Sequence, residues 1–216
     1  MLEKMGSFFD RRLDGYEEHQ LNCIDSAREF YPFTAGCLPR EKGASVLDLG
    51  CGTGLELEQY FQLNPTAKVT GIDLAPGMLA ELKKKFPNRD INLVLGSYFD
   101  VPFGRAAYDA AVSVESLHHF TKEEKIPLYQ TLHQALKPGG YFILTDYFSA
   151  SEEAEAFYQA ELSKLKALQG ITDNEFYHYD TPLTVKHETE SLSAAGFFSI
   201  EILKHWGATH TIKAVK

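Results

Sequence analysis

Val46-Leu47-Asp48-Leu49-Gly50-Cys51-Gly52-Thr53-Gly54 decides the fold. An apolar run that ends in three alternate glycines is a buried strand turning sharply into a helix, because a Cβ there either forbids the dihedrals of the turn or fills space a ligand needs. A second run, Lys68-Val69-Thr70-Gly71-Ile72-Asp73, closes on an acidic residue nineteen positions after Gly54. A carboxylate at that strand end is placed to accept hydrogen bonds from the two hydroxyls of a ribose. The glycine loop and Asp73 therefore bracket a nucleoside. Asp73 also suits a helix N-cap for the segment that begins Ala75-Pro76, and it can do both.

The spacing discriminates among nucleosides. A dinucleotide fingerprint needs G-x-G-x-x-G or G-x-G-x-x-A, whose last small residue lets the helix present its N-terminus to a pyrophosphate. Here the third glycine comes one residue early, Leu55 stands where the small residue belongs, and Glu56 and Glu58 put carboxylates where a pyrophosphate would come. No G-K-[ST] follows the glycines, so a phosphate P-loop is excluded. An uncharged or zwitterionic nucleoside remains.

Outward from this loop, strand and helix patterns alternate. Val46 to Leu49, Val69 to Ile72, Ile91 to Leu95, Ala110 to Val114 and Tyr141 to Thr145 are short, apolar and bounded by turn residues, as buried parallel strands are. Helical spacing connects Leu57, Tyr60 and Phe61; Leu79, Leu82 and Phe86, opened by Pro76; and Ile126, Tyr129, Leu132 and Leu136, closed by Pro138-Gly139. Ser149 and Glu152 predict a capping box for a helix with Phe157, Tyr158, Leu162 and Leu165 on one face, ending at Gly170. A further helix is expected after Thr184 as far as Gly196. Phe197 to Leu203 and Ala208 to Val215, on either side of His205-Trp206-Gly207, predict an antiparallel pair. The expected class is α/β, a doubly wound parallel sheet. Met1 to Arg40, expected to be helical, and the aromatic-rich Ile171 to Thr181 lie outside the sheet and are free to roof a crevice at the strands' carboxyl ends.

These segments, taken in order, resemble a class I S-adenosylmethionine-dependent methyltransferase of the small-molecule type. Val46 to Leu55 resembles that family's first motif, Gly71 to Leu79 its second and Gly96-Ser97-Tyr98-Phe99-Asp100-Val101-Pro102-Phe103 its adenine-side loop. Tyr108 to Phe120 resembles the fourth strand, and Leu136 to Leu144 the turn into the fifth. The matched block covers about half the chain, and its ordered motifs are far more specific than a lone glycine loop. The resemblance implies a seven-stranded, mainly parallel Rossmann-like sheet with a C-terminal antiparallel hairpin, spanning residues 41–216, and a helical N-terminal lid over residues 1–40.

It also implies roles. Gly50, Cys51, Gly52 and Gly54 pass beneath the methionine part of the cofactor, Asp73 takes the ribose, and Leu74 and Met78 lie against the adenine, where Met78 also suits core packing. Ser97 stands where the family usually has an Asp that accepts from the exocyclic amine, so a weaker hydrogen bond is expected, with Tyr98 offering backbone to the ring edge. Glu115 lies near the transferable methyl. Tyr16, within Phe8 to His19, resembles the aromatic hydroxyl that closes over the methionine end, or anchors a helix. His118 and His119 are candidates for a general base, a role that suits imidazole near neutral pH; packing or capping before Thr121 is the alternative. Tyr31, Phe33, Phe176, Tyr177, His178 and Tyr179 are a group from which an acceptor pocket can be built.

Composition narrows the partners. A formal net charge of −9 over 216 residues opposes tight binding to nucleic acid or an anionic membrane and favours a small-molecule methyl acceptor. Three cysteines, Cys23, Cys37 and Cys51, lack metal-ligand spacing and give no disulfide framework, and no carboxylate cluster suggests a catalytic divalent metal. Met1 to Asp10 carries charges throughout and no apolar stretch of signal-peptide length, so a cytoplasmic, unprocessed chain is expected, as a monomer or a homodimer. The leading reading is methyl transfer from S-adenosylmethionine, leaving S-adenosylhomocysteine, to an O, N, S or C nucleophile. A cofactor-binding protein of the same fold without transferase activity is the alternative, and a nicotinamide-dependent oxidoreductase is disfavoured by the glycine spacing.

Overall fold

The computed structural model describes residues 1–173 and 175–216. Five strands run parallel: β1 (Ser45–Leu49), β2 (Lys68–Asp73), β3 (Asp90–Leu95), β4 (Tyr108–Val114) and β5 (Leu136–Tyr147). The hairpin of β6 (Ser199–Trp206) and β7 (Thr209–Val215) closes the sheet, with β7 antiparallel to β5 and to β6, in the order β3-β2-β1-β4-β5-β7-β6. The order reverses direction at β1 and β4, and at such a switch point an open α/β sheet parts to form a crevice at its carboxyl edge.

Side-chain alternation along the strands explains why both faces are covered. Val46, Ala110, Val112 and Ile143 point to one face, where they pack with α3 (Ala27–Gly36), α4 (Leu55–Leu63) and Leu79 and Leu82 of α5 (Pro76–Lys85). Leu47, Leu49, Ala111, Phe142 and Leu144 point to the other, against α6 (Lys122–Ala135) and α8 (Val185–Ala194). Strands buried on both sides read as continuous apolar runs, as observed in the sequence. The remaining helices are α1 (Met5–Arg11), α2 (Tyr16–Cys23) and α7 (Glu152–Leu168), and a 3-10 turn spans Leu117–His119. No helix among the described residues is long and apolar enough to cross a membrane.

Three local expectations are corrected. Leu136 is not the last turn of α6 but the first residue of β5, paired with Tyr108; its helical spacing from Leu132 is incidental to a strand that starts earlier. The cap of α7 is Ser151, which accepts from Ala154 N–H, whereas Ser149 Oγ donates to the carbonyl of Pro182. The apolar face of α7 is also not buried as a unit, since Phe157 is 60 % exposed and Glu155 is the buried residue. Glu155 accepts from Thr184 N–H and lies 2.9 Å from His187 Nδ1, so a carboxylate fixes α7 to the start of α8.

α6 and α8 are locked by a buried ion pair. Lys125 Nζ donates to Glu188 Oε2 over 2.6 Å, and the Tyr129 hydroxyl donates to the other carboxylate oxygen.

Candidate active site

The glycine turn forms as its residue types require. Gly50 and Gly52 have φ of +75° and +47°, in the left-handed region that favours glycine, and a Cβ on Gly50 would stand 2.2 Å from Ser116 Oγ. Gly52 N–H donates to Asp73 Oδ2 and Ala75 N–H to Asp73 Oδ1, at 2.9 and 2.8 Å. Each oxygen keeps a lone pair for a further donor, so Asp73 shapes the turn and still faces the cleft. Burial, only partly offset by these N–H groups, holds its carboxyl above the usual range.

A narrow cleft runs over this turn, lined by Gly50, Gly52, Asp73, Leu74 and Met78 on one side and by Tyr98, Glu115 and His119 on the other. Met5, Phe9 and Tyr16 roof it. The Tyr16 hydroxyl sits 3.8 Å from the point where a Cβ on Gly52 would lie. Burial, with Asp73, Glu56 and Glu115 adding to it, pushes its phenol up, so Tyr16 remains a donor.

Three further residues expected at the cofactor do not line this cleft. Cys51 donates to Ile72 O and accepts from Gly54 N–H, so its backbone groups are spent within the turn, while its Sγ packs against Gly71. Gly54 ends the turn in a left-handed conformation as the N-cap of α4, and a Cβ there would press on Phe86 and Leu82. Ser97 Oγ accepts from Phe99 N–H at 3.1 Å and does not line the cleft.

The cleft opens into a cavity of about 600 Å³, and Phe9, Tyr16, Glu115 and His119 line both. His118, Tyr147, His178 and Asp180 add to its wall, and Arg11 of α1 and Arg12 just after it stand among its lining. Of the aromatic group expected here, only His178 lines it among the described residues. Tyr31 packs at a tilt against Phe30 in the core, Phe33 meets Trp206, and Phe176 packs between Phe99 and Phe120.

The two histidines differ in environment. His118 Nδ1 lies 2.6 Å from Asp146 Oδ1, and Asp146 Oδ2 accepts from Leu117 N–H. Burial works against a charged His118, but Asp146, Glu115 and Asp180 outweigh it and push the imidazole up to about 8. Burial and the charge of His118 push His119 down to about 4. Asp180 Oδ1 stands 3.1 Å from His119 Nδ1 and 3.7 Å from His118 Nε2, and the two histidines hold its carboxyl below the usual range against the effect of burial. Glu115, at the end of β4 with φ of +49°, is pushed up to about 8 by burial and by Asp146. The same donors come close enough to ligate an ion; the short His118–Asp146 contact gives them to each other, and no metal role is assigned.

Sequence reasoning missed Asp146, Tyr147 and Asp180. An acidic residue just after the apolar run Tyr141 to Leu144 was a usable signal for Asp146, because ligands gather at the carboxyl ends of parallel strands. Asp180 offered none, being brought in by a loop.

Comparison with known proteins agrees with this geometry. Residues 46–140 match a family model described as a methyltransferase domain. Over that segment, a little under half of the chain, it resembles the class I S-adenosylmethionine-dependent methyltransferases. It is 34% identical over 135 residues to the biotin biosynthesis bifunctional protein BioHC of Teredinibacter turnerae, a match that covers 58% of this chain and 23% of that protein. It is 35% identical over 123 residues to an uncharacterized methyltransferase of Synechocystis sp., covering 57% of this chain and 56% of the relative. The chain thus spans less than two thirds of the length of these relatives. An S-adenosylmethionine-dependent methyltransferase of Mesorhizobium loti superposes with a TM-score of 0.63 at 21% identity, covering 86% of this chain and 96% of that one, a likeness of fold.

Proposed function

We propose that the protein transfers a methyl group from S-adenosylmethionine to a small-molecule acceptor whose nucleophile carries a removable proton. The observation that carries this reading is the continuity of the narrow cleft with the 600 Å³ cavity through Glu115, His119, Phe9 and Tyr16. The cleft suits the cofactor: Gly50 and Gly52 clear the space a Cβ would take, Asp73 keeps acceptor capacity for a ribose, and Leu74 and Met78 offer apolar surface to a flat ring. Bound there, the cofactor supplies a methyl group on a positively charged sulfur.

The chain's own residues do the rest. Asp146 accepts from His118 Nδ1, which fixes the ring and its tautomer and turns Nε2 towards the cavity side, where Asp180 stands. Neutral His118 takes the acceptor's proton at Nε2, a contribution of about 10²- to 10⁴-fold for a positioned base. His119, kept neutral by its surroundings, packs the junction between cleft and cavity. α1 and α2 exclude water from above. α1 is tied down by Asp10, which accepts from Gly77 N–H, and by the pairing of residues 3–5 with the 176–178 segment, where Met5 N–H donates to Phe176 O and His178 N–H to Glu3 O. Residues 1–23 and 176–181 therefore act as one lid, and Asp180 belongs to it.

A half-open cavity partly covered by a lid favours a small acceptor over a polymer, as does the negative net charge. The test is incubation with methyl-labelled S-adenosylmethionine and, separately, a fractionated small-metabolite extract and bulk RNA. Label is expected in a small organic fraction; label in RNA alone overturns the small-molecule reading.

A further inference from the structure

Glu115 stands where the cleft meets the cavity, in a left-handed conformation that an L residue adopts only when its surroundings hold it there. Its Oε1 is buried and has no hydrogen-bond partner among the described residues. The titratable groups around it come from several elements: Asp146 and Tyr147 from β5, His118 and His119 from the 3-10 turn, Asp180 from the cavity wall, Tyr16 from α2 and Tyr31 from α3. Its carboxylate, His118 and Asp146 present atoms within 4.8 Å of one another, but His118 is already paired with Asp146. A buried acid at the point of reaction is thus left among carboxylates with no cation of its own.

We propose that Glu115 is the counter-charge for the sulfonium of S-adenosylmethionine, giving up a proton when the charged cofactor binds and regaining one when that charge is lost. This rests on the methyltransferase reading of the same site. With no ligand, burial and Asp146 keep the carboxyl neutral below about pH 8. A positive charge within about 4 to 6 Å favours the ionised form, so the proton leaves on binding. During transfer the bond from methyl carbon to sulfur breaks with its electron pair left on sulfur, and a bond from that carbon to the acceptor's nucleophile forms. The displaced proton goes to His118 and from there to Glu115. The buried site thereby exchanges one charge for another and ends uncharged at Glu115.

S-adenosylmethionine and S-adenosylhomocysteine differ by one methyl group and one positive charge, so they separate this effect from ribose and adenine recognition. The experiment is calorimetric titration of the wild-type protein with each ligand at pH 7 in phosphate and in Tris, whose ionisation enthalpies differ, repeated from pH 6 to 8. Release of about one proton per S-adenosylmethionine and about none per S-adenosylhomocysteine is expected, with affinity for the former alone rising up to about tenfold per pH unit below pH 8. Glu115→Gln keeps the shape and is expected to abolish both the release and the pH dependence, while leaving S-adenosylhomocysteine affinity within about twofold. Equal proton counts for the two ligands in the wild type, which needs no variant to fold, overturn the proposal, as does undiminished release in Glu115→Gln. Binding of neither ligand overturns the methyltransferase reading itself.

Discussion

His118 Nδ1 and Asp146 Oδ1 stand 2.6 Å apart, at the carboxyl ends of neighbouring strands β4 and β5. The parallel register that pairs Val114 with Thr145 brings the loop after one strand beside the end of the other. An imidazole so held has one nitrogen committed to a carboxylate and the other turned away from it, the arrangement of a base awaiting a proton.

Replacing Asp146 by Asn removes the negative charge and one of the two acceptor oxygens, so that Leu117 N–H and His118 Nδ1 compete for a single carbonyl. A fall in kcat of about 10²- to 10³-fold is expected, with S-adenosylhomocysteine affinity little changed. Steady-state kinetics on an identified acceptor, beside calorimetry, checks it; a matching loss of affinity would mean that Asp146 supports the fold of the cleft through Leu117 N–H.

The pH profile follows from the same pair. Both Glu115 and His118 are pushed up to about 8, and they face each other, so their protons come off in macroscopic steps that belong to the pair. His118 protonated below that range cannot act as a base. The rate constant kcat/KM for S-adenosylmethionine, which reports on the free enzyme, is therefore expected to rise with pH and level off above about 8. His119, pushed down to about 4, stays neutral throughout. A kcat/KM flat from pH 6 to 9 contradicts the base.

Much of this was legible in the chain, and the reasons differ by element. The inner parallel strands were readable because burial on both faces leaves little polar alternation, the part-exposed edge strand β3 from its apolar Ile91, Leu93 and Val94, and the turn of Gly50 to Gly54 because positive φ singles out glycine. Leu136 misled because a residue four places after Leu132 fits helical spacing whether or not the helix continues; only the pairing with Tyr108 settles it. In the site, residues carried by the motif arrived together, namely Gly50, Gly52, Asp73, Leu74, Met78, Tyr98 and Glu115. Ser97 fell outside because its hydroxyl is taken by a local turn to Phe99 N–H, and Asp180 was invisible because contacts across some sixty residues of chain leave no periodicity.

Lys125 and Glu188 allow a stability test remote from the cleft. Lys125→Met strands a buried carboxylate and is expected to cost about 3 to 5 kcal/mol in urea unfolding. Adding Glu188→Leu should recover a large part of that loss, since two apolar side chains replace the pair and only Tyr129 loses a partner. A double variant as unstable as the single one contradicts the pairing.

Everything proposed for the site depends on the cleft over Gly50, Gly52 and Asp73 holding an adenosyl cofactor through its ribose. The most direct test of that binding is calorimetric titration of the wild type and of Asp73→Ala with S-adenosylhomocysteine, with NADH as the competitor ligand. S-adenosylhomocysteine is expected to bind the wild type, Asp73→Ala to weaken that binding by about 1.5 to 3 kcal/mol, the scale of a lost hydrogen bond to a charged group, and NADH to bind neither. Unchanged affinity in Asp73→Ala, or binding of NADH in place of the adenosyl compound, would contradict it.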